Sequence, residues 1–335
     1  MSLIQSEVIT FGGRSKLGEG IFYNSINNEL YWVDILGNHI FRLSESNLSI
    51  TQWDISHVGN LSPDYISVHK NILPPPSAHQ AIYPSCIIPL SANTMIKHPE
   101  LSEFPFLVNI QQQLRFWSPV DNIFHSYIIP LPPTDLDDMV DSNMRFNDGK
   151  CDPFGNLFIG TMDICNRPKR GDLFKLNSSN LKLEPILGDI SISNGLAWLN
   201  NKTNYYMFYI DTPEKTVKVY EYKCNITFLY NIDLHHISGS PDGMTIDNLG
   251  YLWIAMWDGG KVICINPLAD NNIIHEILLP VSRPTNCTFG GSNLNFLYIS
   301  TAIVDSEEHS GYIHVVDMTK NNLPNRGLPG NLLEF

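Results

Sequence analysis

The sequence predicts an all-β fold, a six-bladed β-propeller. The first observation is composition: apolar stretches such as 30–34 and 252–256 are rich in aromatic and β-branched residues, with Gly, Asn, Asp and Pro between them. The second is a recurring phrase, in which a polar residue precedes a short apolar run. About sixteen residues after each opening, an apolar strand ends in Asp or Ala. No segment shows a sustained helical period.

The repeat sets the number of blades. Five clear openings begin at Glu19, Asn147, Asn194, Asp242 and Asn286, and a weaker sixth begins at Ser85. From Asn147 to Asn286 the spacings are 47, 48 and 44 residues, which is typical of four-stranded propeller blades. The 128 residues between Glu19 and Asn147 are too many for two blades at that spacing. Six blades therefore fit if part of this region is inserted.

The domain organisation follows from the repeat. We expect a single domain over residues 1–335, because closed β architectures of this length fold as one unit. Inserted loops are predicted near 55–83 and 98–143, where prolines and polar residues accumulate. They are either neutral insertions or a lid over one face of the propeller. Residues 7–10 are expected to pair with a last strand at 311–317 and close the ring.

Composition and charge disfavour several classes of partner. The formal net charge of −13 argues against nucleic-acid binding, which requires dense basic surfaces. The first residues lack a signal-peptide pattern and no long apolar run occurs, so no membrane partner and a cytoplasmic location are expected. Six cysteines without a Cys-x-x-Cys pair suggest buried, reduced thiols. The oligomeric state is left open.

The openings also carry the candidate chemistry. The innermost strand of each propeller blade lines the central channel, so residues at the same phase of successive repeats form one ring. This ring would contain the oxygen donors Glu19, Asn147, Asn194 and Asp242. Hard oxygen donors favour calcium, magnesium or manganese, with zinc or iron(II) also able to bind. Two interpretations remain open: a divalent cation at the axis, or a structural polar plug of turn dipeptides.

Nine short motifs occur in order within about 15–35 and 143–302. They occupy residues 17–20, 30–35, 145–153, 160–163, 192–198, 241–244, 252–257, 283–285 and 289–291. Together they resemble the SMP-30/gluconolactonase/luciferin-regenerating-enzyme family, which includes regucalcin-like proteins. The resemblance implies a six-bladed propeller that holds one divalent cation and hydrolyses sugar lactones.

The resemblance also implies roles for individual residues. It identifies Glu19, Asn194 and Asp242 as metal ligands, Asn147 as a residue of the metal shell or a substrate contact, and Arg145 as the substrate-binding arginine. All five positions are intact, which favours a working enzyme.

The predicted activity is therefore divalent-metal-dependent hydrolysis of a small-molecule sugar (aldono-) lactone by a gluconolactonase-like carboxylic ester hydrolase. Calcium is the preferred cofactor, with zinc, manganese, magnesium or iron(II) as alternatives. The cation would polarise the lactone carbonyl, and Asp242 would act as the general base. Asp148 is interpreted as a turn residue rather than a catalytic group. For Asp163 two interpretations stay open: a turn residue at a strand end, or a substrate contact of the kind that the resemblance implies for an acidic residue near this position.

Two alternatives remain open. The same ring could polarise a phosphoryl oxygen, which would make the protein an organophosphate or other ester hydrolase. A non-catalytic, regucalcin-like calcium-binding protein would bind the cation without turnover and use the predicted loops as a partner surface.

Overall fold

The computed structural model describes residues 2–9, 13–56, 82–132, 141–223, 225–269 and 273–335. In these residues the strands form six sheets. Four sheets follow the chain from the inner to the outer strand, and two others have a strand from the N-terminal segment added at the outer edge. The predicted six-bladed β-propeller is confirmed.

The blades are numbered in chain order. Blade 1 contains β3 (Gly18–Asn24), β4 (Glu29–Asp34), β5 (His39–Ser44) and β6 (Ser49–Asp54). Blade 2 contains β7 (Ile87–Pro89), β8 (Phe106–Ile110), β9 (Gln113–Ser118) and β10 (Ile123–Pro130). Blade 3 contains β11 (Met144–Cys151), β12 (Leu157–Asp163), β13 (Gly171–Asn177) and β14 (Lys182–Ile190).

The second half of the ring is built in the same way. Blade 4 contains β15 (Ser193–Asn200), β16 (Tyr205–Asp211), β17 (Thr216–Tyr222) and β18 (Ile226–Asp233). Blade 5 contains β19 (Ser240–Ile246), β20 (Leu252–Trp257), β21 (Lys261–Ile265) and β22 (Ile273–Leu278). Blade 6 contains β23 (Pro284–Gly290), β24 (Phe296–Thr301) and β25 (Ile313–Asp317). The inner strands contact one another in blade order, and β23 contacts β3, so they surround one axis.

The N-terminal segment closes the ring. Strand β2 (Glu7–Ile9) pairs antiparallel with β25, with Glu7 opposite Val315, as predicted. Strand β1 (Ser2–Gln5) pairs in parallel with β22 of the neighbouring blade. One short segment therefore covers the outer edges of blades 5 and 6, which protects both edges from pairing with other chains.

The predicted loop at 98–143 is wrong in its central part. Strands β8, β9 and β10 occupy 106–130, where flanking prolines obscured an apolar strand pattern that is mostly buried. The extra chain in blade 2 lies instead between β7 and β8, as helix α1 (Ala92–Lys97) and a 3₁₀ turn (Pro99–Leu101). The predicted loop residues 57–81 and 133–140 lie outside the described residues.

Aromatic side chains pack the blades against each other. The rings of Phe158 in blade 3 and Trp198 in blade 4 lie 5.3 Å apart. Trp253 in blade 5 meets Phe289 in blade 6 edge-on at 5.9 Å. Each such pair contributes about 0.5–1.5 kcal/mol beyond the burial of its surface. These contacts hold the inner strands at a fixed spacing around the channel.

The segment after β25 crosses one face of the propeller. Asn325 donates a 2.6 Å hydrogen bond to Asp247 in blade 5, and Leu333 forms a parallel bridge with Leu90 in blade 2. The segment therefore ties blade 5 to blade 2. No helix among the described residues is both long and apolar enough to span a bilayer.

The cysteines that the structure describes are free thiols, and four of the five are buried. The prediction of buried thiols is wrong for Cys165, which is exposed in the loop after β12. Cys224 lies outside the described residues.

Candidate active site

Five of the six inner strands carry a bulge at the same phase. The register with the second strand shifts between Glu19 and Phe22 in β3, and at equivalent places in β11, β15, β19 and β23. The polar residue that opens each repeat lies in or beside this bulge. Because a bulge breaks the alternation of side chains and re-aims a residue, the repeated phrase in the sequence corresponds to a repeated backbone device.

Gly20 shows why glycine follows the polar residue in blade 1. Its φ is +55°, and an added Cβ would lie 2.6 Å from the backbone oxygen of Ser85 in blade 2. Only glycine fits both the backbone conformation and this close approach. The bulge of β3 therefore lies directly against the next blade.

A chain of hydrogen bonds connects three neighbouring blades at this level. Arg145 Nη1 donates to Asn147 Oδ1 at 2.8 Å, and Asn147 Nδ2 donates to Asn194 Oδ1 at 3.1 Å. Asn194 Nδ2 donates in turn to Thr212 Oγ1 at 2.7 Å, and that hydroxyl donates to the Pro241 carbonyl. This series of hydrogen bonds ends at Pro241, the residue before Asp242. The hydrogen bonds hold the side chains of Arg145, Asn147 and Asn194 in fixed rotamers.

Arg145 is held from a second side as well. Its guanidinium lies 5.7 Å from the centre of the Tyr83 ring and also donates to the Phe146 carbonyl at 2.9 Å. Only 7% of its surface is exposed, and this burial lowers the pKa of the guanidinium to about 10. Arg145 is therefore a fixed cation at neutral pH.

Three buried carboxyl groups meet in the channel. Burial, followed by repulsion from Asp148, raises the pKa of Glu19 to about 8. Burial, followed by repulsion from Glu19 and Asp148, holds the pKa of Asp242 well above its usual range. Each group is less than 10% exposed. Without a positive partner, these carboxyl groups therefore retain protons that ordinary Asp and Glu residues lose.

The local charge balance is uneven. Three carboxyl groups (Glu19, Asp148, Asp242) face two cationic side chains (Arg145, Lys150), and the buried Asp148 Oδ2 accepts no hydrogen bond from any residue that the structure describes. A buried negative charge is stabilised by a paired cation or a bound metal. No set of three or more His, Cys, Asp and Glu side chains in the described part of the chain is arranged to hold a metal ion. Here the available donors are carboxylates and amide oxygens together, a set that fits a hard divalent cation.

Lys150 lies on the far side of the ring. Its ammonium group donates to the Met244 carbonyl at 2.6 Å, which joins the inner strands of blades 3 and 5 across the channel. Lys150 also lines a cavity of about 760 Å³, together with Asp148, Asn286 and apolar residues such as Phe22 and Leu249. The polar residues near the ring and an apolar wall therefore share this cavity.

The structure brings the predicted site residues together. Direct hydrogen bonds link Arg145, Asn147 and Asn194, and electrostatic interactions link Glu19 and Asp242 with Arg145. Asp163 lies apart from this group: it is fully buried and bound to Cys165 N and Arg167. It fixes a loop, like Asp34 at the end of β4.

Sequence reasoning missed three residues near the ring: Asp148, Lys150 and Asn286. Asp148 was interpreted as a turn residue, although its carboxyl group interacts with both Glu19 and Asp242. Asn286 was recognised as an opening of the repeat but not as a site residue, although it donates to Glu19. The repeat phase was a sufficient signal for Asn286, whereas only the bulge reveals that Asp148 is also buried near the ring.

Several known proteins are similar to this chain. Residues 106–303 match the SMP-30/Gluconolactonase/LRE-like region. The chain belongs to this family. A Bacillus subtilis member provisionally named sugar lactone lactonase YvrE is 30% identical over 89% of this chain and 88% of its own length. Regucalcin of Gallus gallus is 37% identical over 48% of this chain and 56% of its own length.

Solved structures of the SMP-30/gluconolactonase/LRE-like family share the fold. A luciferin-regenerating enzyme superposes with a TM-score of 0.76 at 26% identity, covering 98% of this chain and 99% of that chain. The chain spans little more than half the length of Gallus gallus regucalcin, 56%, whereas it spans 88% of YvrE. The family model matches residues 106–303, whereas the structural similarity covers 98% of the chain.

Proposed function

We propose that the protein hydrolyses sugar lactones and that a divalent cation, with calcium preferred, is held in the central channel. The observation that carries the proposal is the cluster of buried oxygen donors around Glu19 and Asp242, in which three carboxyl groups face two cationic side chains. The relative named as a sugar lactone lactonase and the gluconolactonase in the family description support the reaction class, and the name regucalcin supports calcium.

Four residues would hold the cation: Glu19, Asn147, Asn194 and Asp242. When bound, the cation would supply Lewis-acid polarisation of the lactone carbonyl and lower the pKa of water. It would also provide the positive charge that these buried carboxyl groups lack. In its presence Glu19 and Asp242 would be ionised, because an adjacent positive charge favours the carboxylate form.

Asp242 is the proposed general base. A lactone is a cyclic ester, so hydrolysis requires water to attack the carbonyl carbon and lose a proton as the ring C–O bond breaks. Asp242 is buried at the channel and would lie beside the bound cation, where its carboxylate can accept a proton from the attacking water. The proton from the attacking water would pass to this carboxylate and then to the ring oxygen, which leaves as the hydroxyl group of the hydroxy acid.

Arg145 and Asn147 are the proposed binding residues. The guanidinium of Arg145 is a fixed, planar donor, and its contact with Asn147 sets the orientation of both groups. Sugar hydroxyls and the developing negative charge on the carbonyl oxygen are suitable acceptors for the remaining N–H groups of Arg145. The NH₂ group of Asn147 already donates to Ser193 O and Asn194 Oδ1, so Asn147 would act through its oxygen and by orienting Arg145. Both side chains are ordered before substrate arrives, so they lose little conformational entropy on binding.

A substrate panel tests the reaction class. The protein is supplied with calcium and offered aldonolactones, simple carboxylic esters and phosphotriesters, and ring opening or hydrolysis is followed by proton release. Preferential turnover of aldonolactones supports the proposal. Preferential turnover of phosphotriesters or simple esters would favour the alternative hydrolase, and calcium binding without turnover would favour a binding protein.

A further inference from the structure

Asn286 lies beside Glu19, one of the residues proposed to hold the cation. It belongs to β23 in blade 6, at the same repeat phase as the four proposed metal-holding residues, and only 2% of its surface is exposed. Its Nδ2 lies 3.4 Å from Glu19 Oε2. The repeat thus places an amide, rather than a further carboxyl group, next to the glutamate from blade 1.

The orientation of this amide is fixed. The backbone N–H of Cys287 donates to Asn286 Oδ1 at 2.8 Å. Because that position can only be filled by an acceptor, the amide oxygen faces Cys287 and the NH₂ group faces the carboxyl groups. The same amide is close enough to Asp148 to lower the pKa of that carboxyl group.

The neighbouring blade leaves room for this side chain. An added Cβ on Gly243, next to Asp242, would lie 2.1 Å from Asn286 Cγ. Asn286 therefore occupies the space that the glycine leaves open. Its amide is enclosed between blades 5 and 1, among the three carboxyl groups of the channel, and it has little freedom to rotate away.

We propose that Asn286 is a positioning residue of the cation site: its amide donates to Glu19 and orders the Glu19 carboxylate for cation binding. Besides this amide, Glu19 Oε2 accepts from the Gly20 backbone N–H at 3.2 Å. An amide performs this role without adding charge, whereas an aspartate would add a fourth carboxyl group and a lysine would compete with the cation. The inference rests on the proposed function for the identity of the ligand.

The test compares Asn286→Leu with the wild type in calcium affinity, measured by isothermal titration calorimetry on chelator-treated protein. Loss of a residue that orients a metal ligand typically weakens metal binding by about 10–100-fold, and we expect a loss in this range. The smaller change Asn286→Ala is measured in parallel, so that a folding failure of the leucine variant does not decide the outcome. Calcium affinity unchanged in a folded variant would overturn the inference.

Asn325→Leu is the matched control. Asn325 is also a buried asparagine that donates to a buried carboxylate, Asp247 Oδ2, but it lies in the segment that crosses the cavity face. This variant is expected to lower the melting temperature and leave the calcium affinity unchanged. An equal loss of affinity in both variants would show a general effect of destabilisation and would overturn the specific role of Asn286.

Lactone turnover is measured on the same samples to separate the two proposals. Wild-type protein that binds calcium without turning over any lactone contradicts the proposed function, while a weaker affinity of the Asn286 variants still supports the positioning role. Wild-type turnover with unchanged affinity in the variants contradicts only the positioning role. Absence of calcium binding by the wild type overturns both.

Discussion

Arg145 and Asn147 lie two residues apart on one strand, and the guanidinium of the first donates a 2.8 Å hydrogen bond to the amide oxygen of the second. In a regular strand, residues two apart point to the same face. Here the register of β11 shifts between Phe146 and Gly149, so the hydrogen bond is formed at the edge of a bulge. The bulge and the hydrogen bond together place the Arg145 guanidinium next to the Asn147 amide. That amide in turn donates to Asn194.

Replacing Arg145 with lysine is expected to lower kcat/KM for lactones by about 10–100-fold, the effect of losing a hydrogen bond of a charged group. Lysine keeps the charge but loses the planar contact with Tyr83 and the fixed direction of donation. Steady-state kinetics measures the effect. Arg42→Lys is the control, because Arg42 also stacks on an aromatic ring and pairs with a carboxylate, in the outer strands of blade 1. Equal kcat/KM for Arg145→Lys and wild type would contradict the binding role.

Replacing Asp242 with asparagine is expected to lower kcat by about 10²–10⁴-fold, the usual contribution of a general base. The variant should retain most of its calcium affinity, because the amide oxygen remains a donor. Turnover and calcium binding are therefore measured on the same preparation. Wild-type turnover in Asp242→Asn would contradict the assignment of the base.

Asp211→Asn provides the contrast for this experiment. Asp211 is a buried aspartate in blade 4, and its two oxygens accept from the backbone N–H groups of Ser191 and Ile192. An amide can replace only one of these two acceptors. The control variant should therefore lose stability, seen as a lower melting temperature, while its kcat stays near the wild-type value.

His314 predicts a pH dependence of stability. It is fully buried in β25, contacts Ser6 Oγ at 3.1 Å and the His309 carbonyl at 3.1 Å, and burial lowers its pKa to about 4. The carbonyl requires a proton on Nε2, so the neutral ring accepts from Ser6. In the unfolded chain the pKa is the ordinary 6.5, so below that pH the unfolded state binds more protons than the folded state.

The free energy of unfolding should therefore fall as the pH drops from 6.5 towards 4, by about 3 kcal/mol in total from this residue. Denaturant unfolding at a series of pH values measures the slope. In His314→Gln the contribution of His314 to the pH dependence of the free energy of unfolding should disappear between pH 4 and 6.5, because glutamine does not titrate. An identical slope in the variant and the wild type would contradict the account.

The fold was largely predictable because a propeller repeats its own pattern. The phases of Glu19, Asn147, Asn194 and Asp242 were enough to place four blades, and the N-terminal pairing with β25 followed from the need to close the ring. Blade 2 was harder, since its inner strand is only three residues long and α1 separates it from β8. An insertion between the first two strands of a blade changes the residue spacing by which the repeat is recognised in the sequence.

The candidate site was predictable in its members but not in its electrostatics. The ring residues could be chosen from phase and family resemblance, whereas Asp148 follows a member directly and would point away in a regular strand. The bulge in β11 allows both Asn147 and Asp148 to be buried at the channel. Likewise, the contact between Asn286 and Glu19 depends on the space above Gly243, which no linear spacing reveals.

The most direct test of the central claim is aldonolactone hydrolysis by protein stripped with a chelator, followed by addition of one divalent cation at a time. We expect the stripped protein to be inactive and calcium to restore turnover, with Glu19→Ala, which removes the ligand oxygens, requiring more calcium for half-maximal rate. Full lactone hydrolysis by the stripped protein, unchanged by any added cation, would contradict a metal-dependent lactonase.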